Sequence, residues 1–246
     1  MVVIKRRKKS LLGDMTPGLV TLHVFSAALI FLIMKNVMRM TDVRDELGFY
    51  WIYHSHPWNQ LVHFCFVPTI LWTLGIWMMH APIGTIKISL PFVPTHRITY
   101  ATLLSGIGSL VYATLDPIGG TLYLPVMYLM YGSAVWLYEK DQKQSNHSSW
   151  VGTKRLLQWS GLLHVFSWAI QIYAHVHFEH GRPALMDSFA QSLTIAPLFA
   201  FYEGLWFLGL NVGLQQETLE QAANLTKDFC KPESPMHVCS IFPNSA

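Results

Sequence analysis

With 246 residues, 52% of them hydrophobic and only 13% charged, the chain falls well short of the roughly one-quarter charged residues of an average soluble domain. That deficit excludes a water-facing surface over most of the molecule. Several apolar stretches approach the roughly 20 residues needed to span hydrocarbon, so the length suits one helical bundle in a membrane. The formal charge of +3 says little, but Lys5, Arg6, Arg7, Lys8 and Lys9 form one basic block before an apolar run, which fits a topogenic or anionic-lipid role rather than nucleic-acid binding.

In chain order, residues 18–34 form the first apolar stretch, basic at its start but without a small-residue cleavage site, which predicts an uncleaved anchor or an interfacial helix. A polar and aromatic segment follows, ending in Tyr53-His54-Ser55-His56-Pro57. Residues 58–79 read as a strong span opened by Pro57 and kinked at Pro68. The connection 80–97 carries Pro82, Pro91 and Pro94 and is long enough to fold back partway. A moderate span at 98–115 contains Gly106 and Gly108, which permit close helix approach. Asp116-Pro117 with Gly119-Gly120 then marks a tight turn. Further spans are expected at 122–138, 156–176 and 189–212, with a polar loop over 139–155 and a polar tail beyond Leu214.

The expected fold class is therefore all-α: a polytopic membrane bundle of five core transmembrane helices plus an N-terminal anchor or interfacial helix. The division is a basic extension over 1–45, a membrane domain over 46–213 and a polar tail over 214–246. Cys65, Cys230 and Cys239 form no CxxC, and the aromatic content fits an interfacial belt.

Twelve histidines are many for such a chain. Two groups stand out: His54, His56 and His63, then His164, His175, His177 and His180. Ionisable groups at membrane depth usually face a bundle interior or a cavity, and histidine is the commonest side-chain metal ligand. The first group opens one span and His175 closes the fourth span counted from there, so both groups share one membrane face. Positions 164, 168, 171, 175 and 179 share one helical face, bringing His164, Trp168, Gln171, His175 and Glu179 into line. Asn59 and His63 are likewise one turn apart. Nitrogen and oxygen ligands of this kind suit iron, and two histidines plus a carboxylate describe many non-haem Fe(II) oxygenases. The sequence lacks HExxH, HxxHH boxes and a GxSxG elbow, which removes several familiar membrane chemistries.

The segment Phe49-Tyr50-Trp51-Ile52-Tyr53-His54-Ser55-His56-Pro57-Trp58-Asn59, followed by His63 and Val67-Pro68, resembles the opening motif of the fungal 2-hydroxy-palmitate dioxygenase family. Trp168, Gln171, His175, Phe178-Glu179, Arg182-Pro183-Ala184-Leu185 and Asp187 resemble its second motif, and Gln191, Ala196-Pro197 and Glu203 continue the match. The family usually carries glycine where Ala174 precedes His175, and the basic extension lies outside its pattern. The resemblance implies an enzyme of the endoplasmic-reticulum membrane that uses Fe(II) and O₂ to shorten a 2-hydroxy fatty acid by one carbon during phytosphingosine degradation. It implies His54, His63 and His175 as metal ligands, with Glu179 and His164 as further candidates and Asn59 and Gln171 orienting them. Arg182 is expected to pair with the substrate carboxylate. A non-enzymatic lipid-binding or scaffolding protein and a haem electron carrier with two axial histidines are the alternatives.

If the first apolar run spans, the positive-inside rule places the basic block in the cytosol and the histidine face in the lumen; if it lies on the surface, the histidine face is cytosolic. The sequons beginning at Asn146 and Asn224 are expected opposite the histidine face.

Overall fold

The computed structural model describes residues 16–40, 42–145 and 151–229. The basic block 5–9, the sequon at Asn146, Cys230 and Cys239 lie outside them. Helix α1 (Pro17–Val37) starts at Thr16, whose hydroxyl accepts from the Leu19 amide, with Pro17 in the first turn where its missing N–H costs nothing. The short α2 (Val43–Trp51) is capped by Asp42 and carries Asp45 and Glu46 against the positive end of its dipole. Helix α3 (Pro57–Met79) opens in the same way, with Pro57 in its first turn and the His56 ring accepting from the Trp58 amide.

The proline-rich connection is an antiparallel hairpin of β1 (Pro82–Leu90) and β2 (Val93–Thr99), turning at Pro91 and Phe92, where Phe92 takes a φ of 58°. It folds back along the bundle as expected: its base touches α1 through His23 and Pro82, and the Pro91 carbonyl at its tip accepts from Tyr128. Thr99 and Thr102 form a capping box that starts α4 (Tyr100–Leu115). After the Asp116-Pro117 turn comes α5 (Gly119–Ser145), then α6 (Val151–Phe178), so most of the expected loop 139–155 is helical. Gly120 is required at that turn, because a Cβ there would lie 1.8 Å from the Tyr112 carbonyl oxygen. A 3₁₀ turn at Ala184–Met186 leads to α7 (Phe189–Phe207) and α8 (Val212–Phe229).

The all-α class holds, with the hairpin as its one β element among the described residues. The fifth core span requires correction. Helix α7 touches Asn36 at the end of α1, Tyr112 and Asp116 at the end of α4, Tyr123 near the start of α5 and Phe64 near the start of α3. All these partners lie in the half of the bundle that holds the histidines, and Leu193 also lines the void that reaches toward Ala101, so α7 packs along that half without running the bundle's whole length. Two helices among the described residues, α1 and α3, are long and apolar enough to cross a membrane, and α4 is a shorter apolar helix.

The expected polar tail is also helical at its start. Helix α8 lies against α2, where Arg44 pairs with Glu217, Gln221 donates to Asp45, and Thr218 and Ala222 are buried. Asn224 therefore sits at the histidine end of the bundle and not opposite it. The larger buried cluster occupies that end, built on Leu47, Tyr50, Tyr53, Phe199 and Tyr202, while a second at the other end joins Leu29, Met78, Met79, Val93 and Val135.

Candidate metal centre at the bundle rim

Three elements bring the histidines together. His54 lies between α2 and α3, His63 a turn and a half into α3, and His175 in the last turn of α6. Their ring centroids are 4.3 Å (His54–His63), 4.9 Å (His54–His175) and 4.8 Å (His63–His175) apart. One nitrogen from each lies within 4.8 Å of the others, and all three residues are buried, at 0%, 3% and 2% exposure. Chain topology allows this meeting: α3, α4, α5 and α6 run along the bundle in alternating directions and return His175 to the end where His54 and His63 lie.

The rings are held as ligands are usually held. The Nδ1 of His54 lies 2.9 Å from the Tyr50 carbonyl, and the Nδ1 of His63 lies 2.9 Å from the Asn59 carbonyl. A carbonyl only accepts, so each Nδ1 carries the proton and each Nε2 keeps its lone pair. The Nε2 of His54 and the Nδ1 of His175 are buried with no hydrogen-bond partner among the described residues. Tyr50 stacks parallel on His54 at 4.4 Å, and Phe199 of α7 packs on both rings. Burial, reinforced by His63 and His175, pushes the His54 pKa well below its ordinary 6.5, so the neutral, metal-competent form prevails at neutral pH.

Three neutral imidazoles with unshared lone pairs in a dry pocket fit a divalent transition metal such as iron. Closing to bond lengths of about 2.1 Å requires the rings to draw together slightly. The same convergence argues against a haem, since rings approaching from three directions into so small a gap leave no room for a macrocycle.

The other candidates divide. Glu179 accepts from the Ser55 hydroxyl (2.8 Å), the His56 amide (2.8 Å) and the Asn59 amide (3.0 Å), so its carboxylate braces the end of α6 against the start of α3. Asn59 in turn positions His63 through its own carbonyl. His164 lies eleven residues before His175, about 16 Å along the axis, and stands apart from the cluster. Its Nδ1 meets Thr73, its Nε2 accepts from Trp168, and Trp77 packs on its ring. Both of its ring nitrogens are thus engaged by neighbouring side chains, on a half-buried stretch of α6. Gln171 sits one turn from His175 and lines the same apolar cavity, its Nε2 unpartnered among the described residues. Arg182 is bound at 2.6 Å to Asp187, which also accepts from Tyr53; the Arg182 side chain is half-exposed while the Asp187 side chain and Tyr53 are buried beneath it.

Glu203 was given no role from sequence. It is buried on α7 with both carboxylate oxygens unpartnered among the described residues, on the side facing Tyr50. A lone acid inside an apolar helix was the available cue.

Residues 40–205 match the family model described as 2-hydroxy-palmitic acid dioxygenase Mpo1-like. The chain is 35% identical to the 2-hydroxy-palmitic acid dioxygenase MPO1 of Saccharomyces cerevisiae over 170 residues, covering 69% of this chain and 83% of that protein. No solved structure matches the chain.

Proposed function

Because the chain belongs to the Mpo1-like 2-hydroxy-palmitic acid dioxygenase family, we propose that it is an Fe(II)-dependent membrane enzyme that shortens 2-hydroxy long-chain fatty acids by one carbon. The observation that carries the reading is the convergence of His54, His63 and His175 with free lone pairs in a buried pocket. Iron held there would relay to O₂ the electrons that the substrate gives up and would supply the Lewis acidity that polarises the substrate's oxygens. The chain's own residues do the rest. The carbonyls of Tyr50 and Asn59 fix two rings, Glu179 locks the turn that carries them, and α7 keeps water away. Gln171 offers an unpaired amide beside the cluster, and Arg182 at the mouth attracts a carboxylate.

The substrate is a 2-hydroxy acid with a long tail, and O₂ is the co-substrate. The apolar cavity that His63 and His175 line supports this choice. A multi-pass arrangement fits the apolar side chains that α5 and α6 turn outward, such as Leu129 at 71%, Leu162 at 64% and Val165 at 67% exposure. The proposed location is the endoplasmic-reticulum membrane, and the proposed role is phytosphingosine degradation.

The test is to incubate membranes expressing the chain with labelled 2-hydroxypalmitic acid, with and without Fe(II). Conversion to the acid one carbon shorter, dependent on iron and lost in His63→Ala and His175→Ala, is the expected result. Absence of product from folded, iron-loaded protein overturns the assignment. Purified protein without bound metal that folds normally after both substitutions would return the scaffold alternative.

A further inference from the structure

Two apolar cavities run through the bundle. The first has His63, Gln171 and His175 at its rim end. The second reaches deeper, to Gly75 on α3, Ala101 on α4 and Ala134 on α5. Ile33, Leu71, Leu104 and Leu193 line both, so the cavities adjoin at a common neck. From His63 to Gly75 is twelve residues of one helix, about 18 Å along the axis, a length of the order of an extended long-chain acyl tail.

We infer that the acyl tail passes from the histidines through this neck into the second cavity, and that the small residues at its deep end, Gly75 above all, set the longest chain accepted. This rests on the fatty-acid reading above. The occupant is argued from adjacency: the void that exposes two candidate ligands shares four apolar lining residues, Ile33, Leu71, Leu104 and Leu193, with the deeper one. Gly75 is the telling position. A Cβ there meets nothing within 4 Å, so a larger side chain would project into open space, filling the cavity with no backbone to displace. One wall of the neck, Ile33, comes from α1, which lies before the family-matched residues 40–205. The measuring pocket is thus partly built from a segment outside the family pattern.

Two readouts test this, one of which needs no turnover. Trp168 lines the first cavity and Trp72 the second. A 2-hydroxy acid brominated at its tail end should quench fluorescence in the full-length protein in nanodiscs, and the quench should shrink in Trp72→Phe. In Gly75→Phe the tail-brominated acid should lose that quench, while a head-brominated one still quenches Trp168. In turnover, Gly75→Leu should lower kcat/KM for the longest acids of a graded series by about tenfold or more while sparing the shortest. Gly161→Leu, outside both cavities, is the bulk control, and thermal unfolding checks that each variant folds. Tail quenching without product keeps this inference and sinks the proposed reaction. Turnover with an unchanged length profile in Gly75→Leu, or a tail bromine that never reaches Trp72, overturns the inference and leaves the reaction standing.

Discussion

Glu179 accepts three hydrogen bonds from the turn that carries His54 and His63, so its role is to hold the turn's shape. Removing it leaves the Asn59 amide buried with one acceptor fewer, and hydrogen bonds to charged groups contribute about 1.5–3 kcal/mol each. Glu179→Ala should therefore cost about 2–3 kcal/mol, visible as a lowered unfolding midpoint, with activity falling further as Asn59 and His63 lose their alignment. Glu179→Gln, which keeps an acceptor, should lose less; equal loss in both would mean that the carboxylate's charge acts at the metal itself. His54 gives a pH dependence with a defined sign. Its folded pKa lies well below 6.5 through burial and its two neighbouring histidines, whereas the unfolded chain takes up the proton near 6.5. The unfolded state thus binds more protons as the pH falls below about 6.5, and the metal-free protein loses stability there. Denaturation of the apoprotein between neutral pH and about pH 5 should show this decline, and His54→Gln should make it shallower.

Gly48 is the contact point between α2 and α8. A Cβ there would stand 2.9 Å from Gln221 Cγ and 3.2 Å from the Ala222 amide nitrogen, so Gly48→Val should lift α8 from α2 at a cost of about 1–3 kcal/mol. Limited proteolysis would reveal it as new cleavage after Val212 in the variant; an unchanged digestion pattern would mean that α8 contributes little to the rim. This docking was legible only in part. Leu214, Thr218, Ala222 and Leu225 recur at helical spacing, but the polar composition around them reads as a free tail. The hairpin was similarly half-visible: Thr85 to Leu90 alternates polar and apolar side chains, while the prolines on either side suggest a loop. The helices α3 to α6 were legible because each holds an apolar run bounded by turn residues, though among the described residues of these four only α3 is long and apolar enough to cross a membrane. The course of α7 was not, since an apolar helix reads alike whether it crosses hydrocarbon or packs along one half of a bundle. His54, His63 and His175 were legible because topology returns them to one face. His164 misled because helical periodicity aligns it with His175 without measuring how far along the axis it lies.

At the scale of the molecule, α1 starts at the end opposite the histidines, and the basic block 5–9 precedes it in the sequence. With α1 crossing, the positive-inside rule keeps that end cytosolic and turns the histidine end away. The sequon at Asn224 is then the one expected to carry glycan, because α8 docks at the histidine end. A mobility shift on endoglycosidase treatment that vanishes in Asn224→Gln and survives Asn146→Gln would establish this. A shift that follows Asn146 would reverse the orientation. The placement of α7 has a kinetic consequence. It packs along the histidine half, where a water-soluble substrate would arrive, and the histidines beside it are almost wholly shielded. With the bundle in a bilayer, as proposed, a reactant entering between helices would come from the surrounding lipid, and the encounter rate would follow how crowded the bilayer is with that reactant. Diluting the vesicles with buffer would leave turnover per enzyme unchanged, whereas enlarging them with inert phospholipid would slow it.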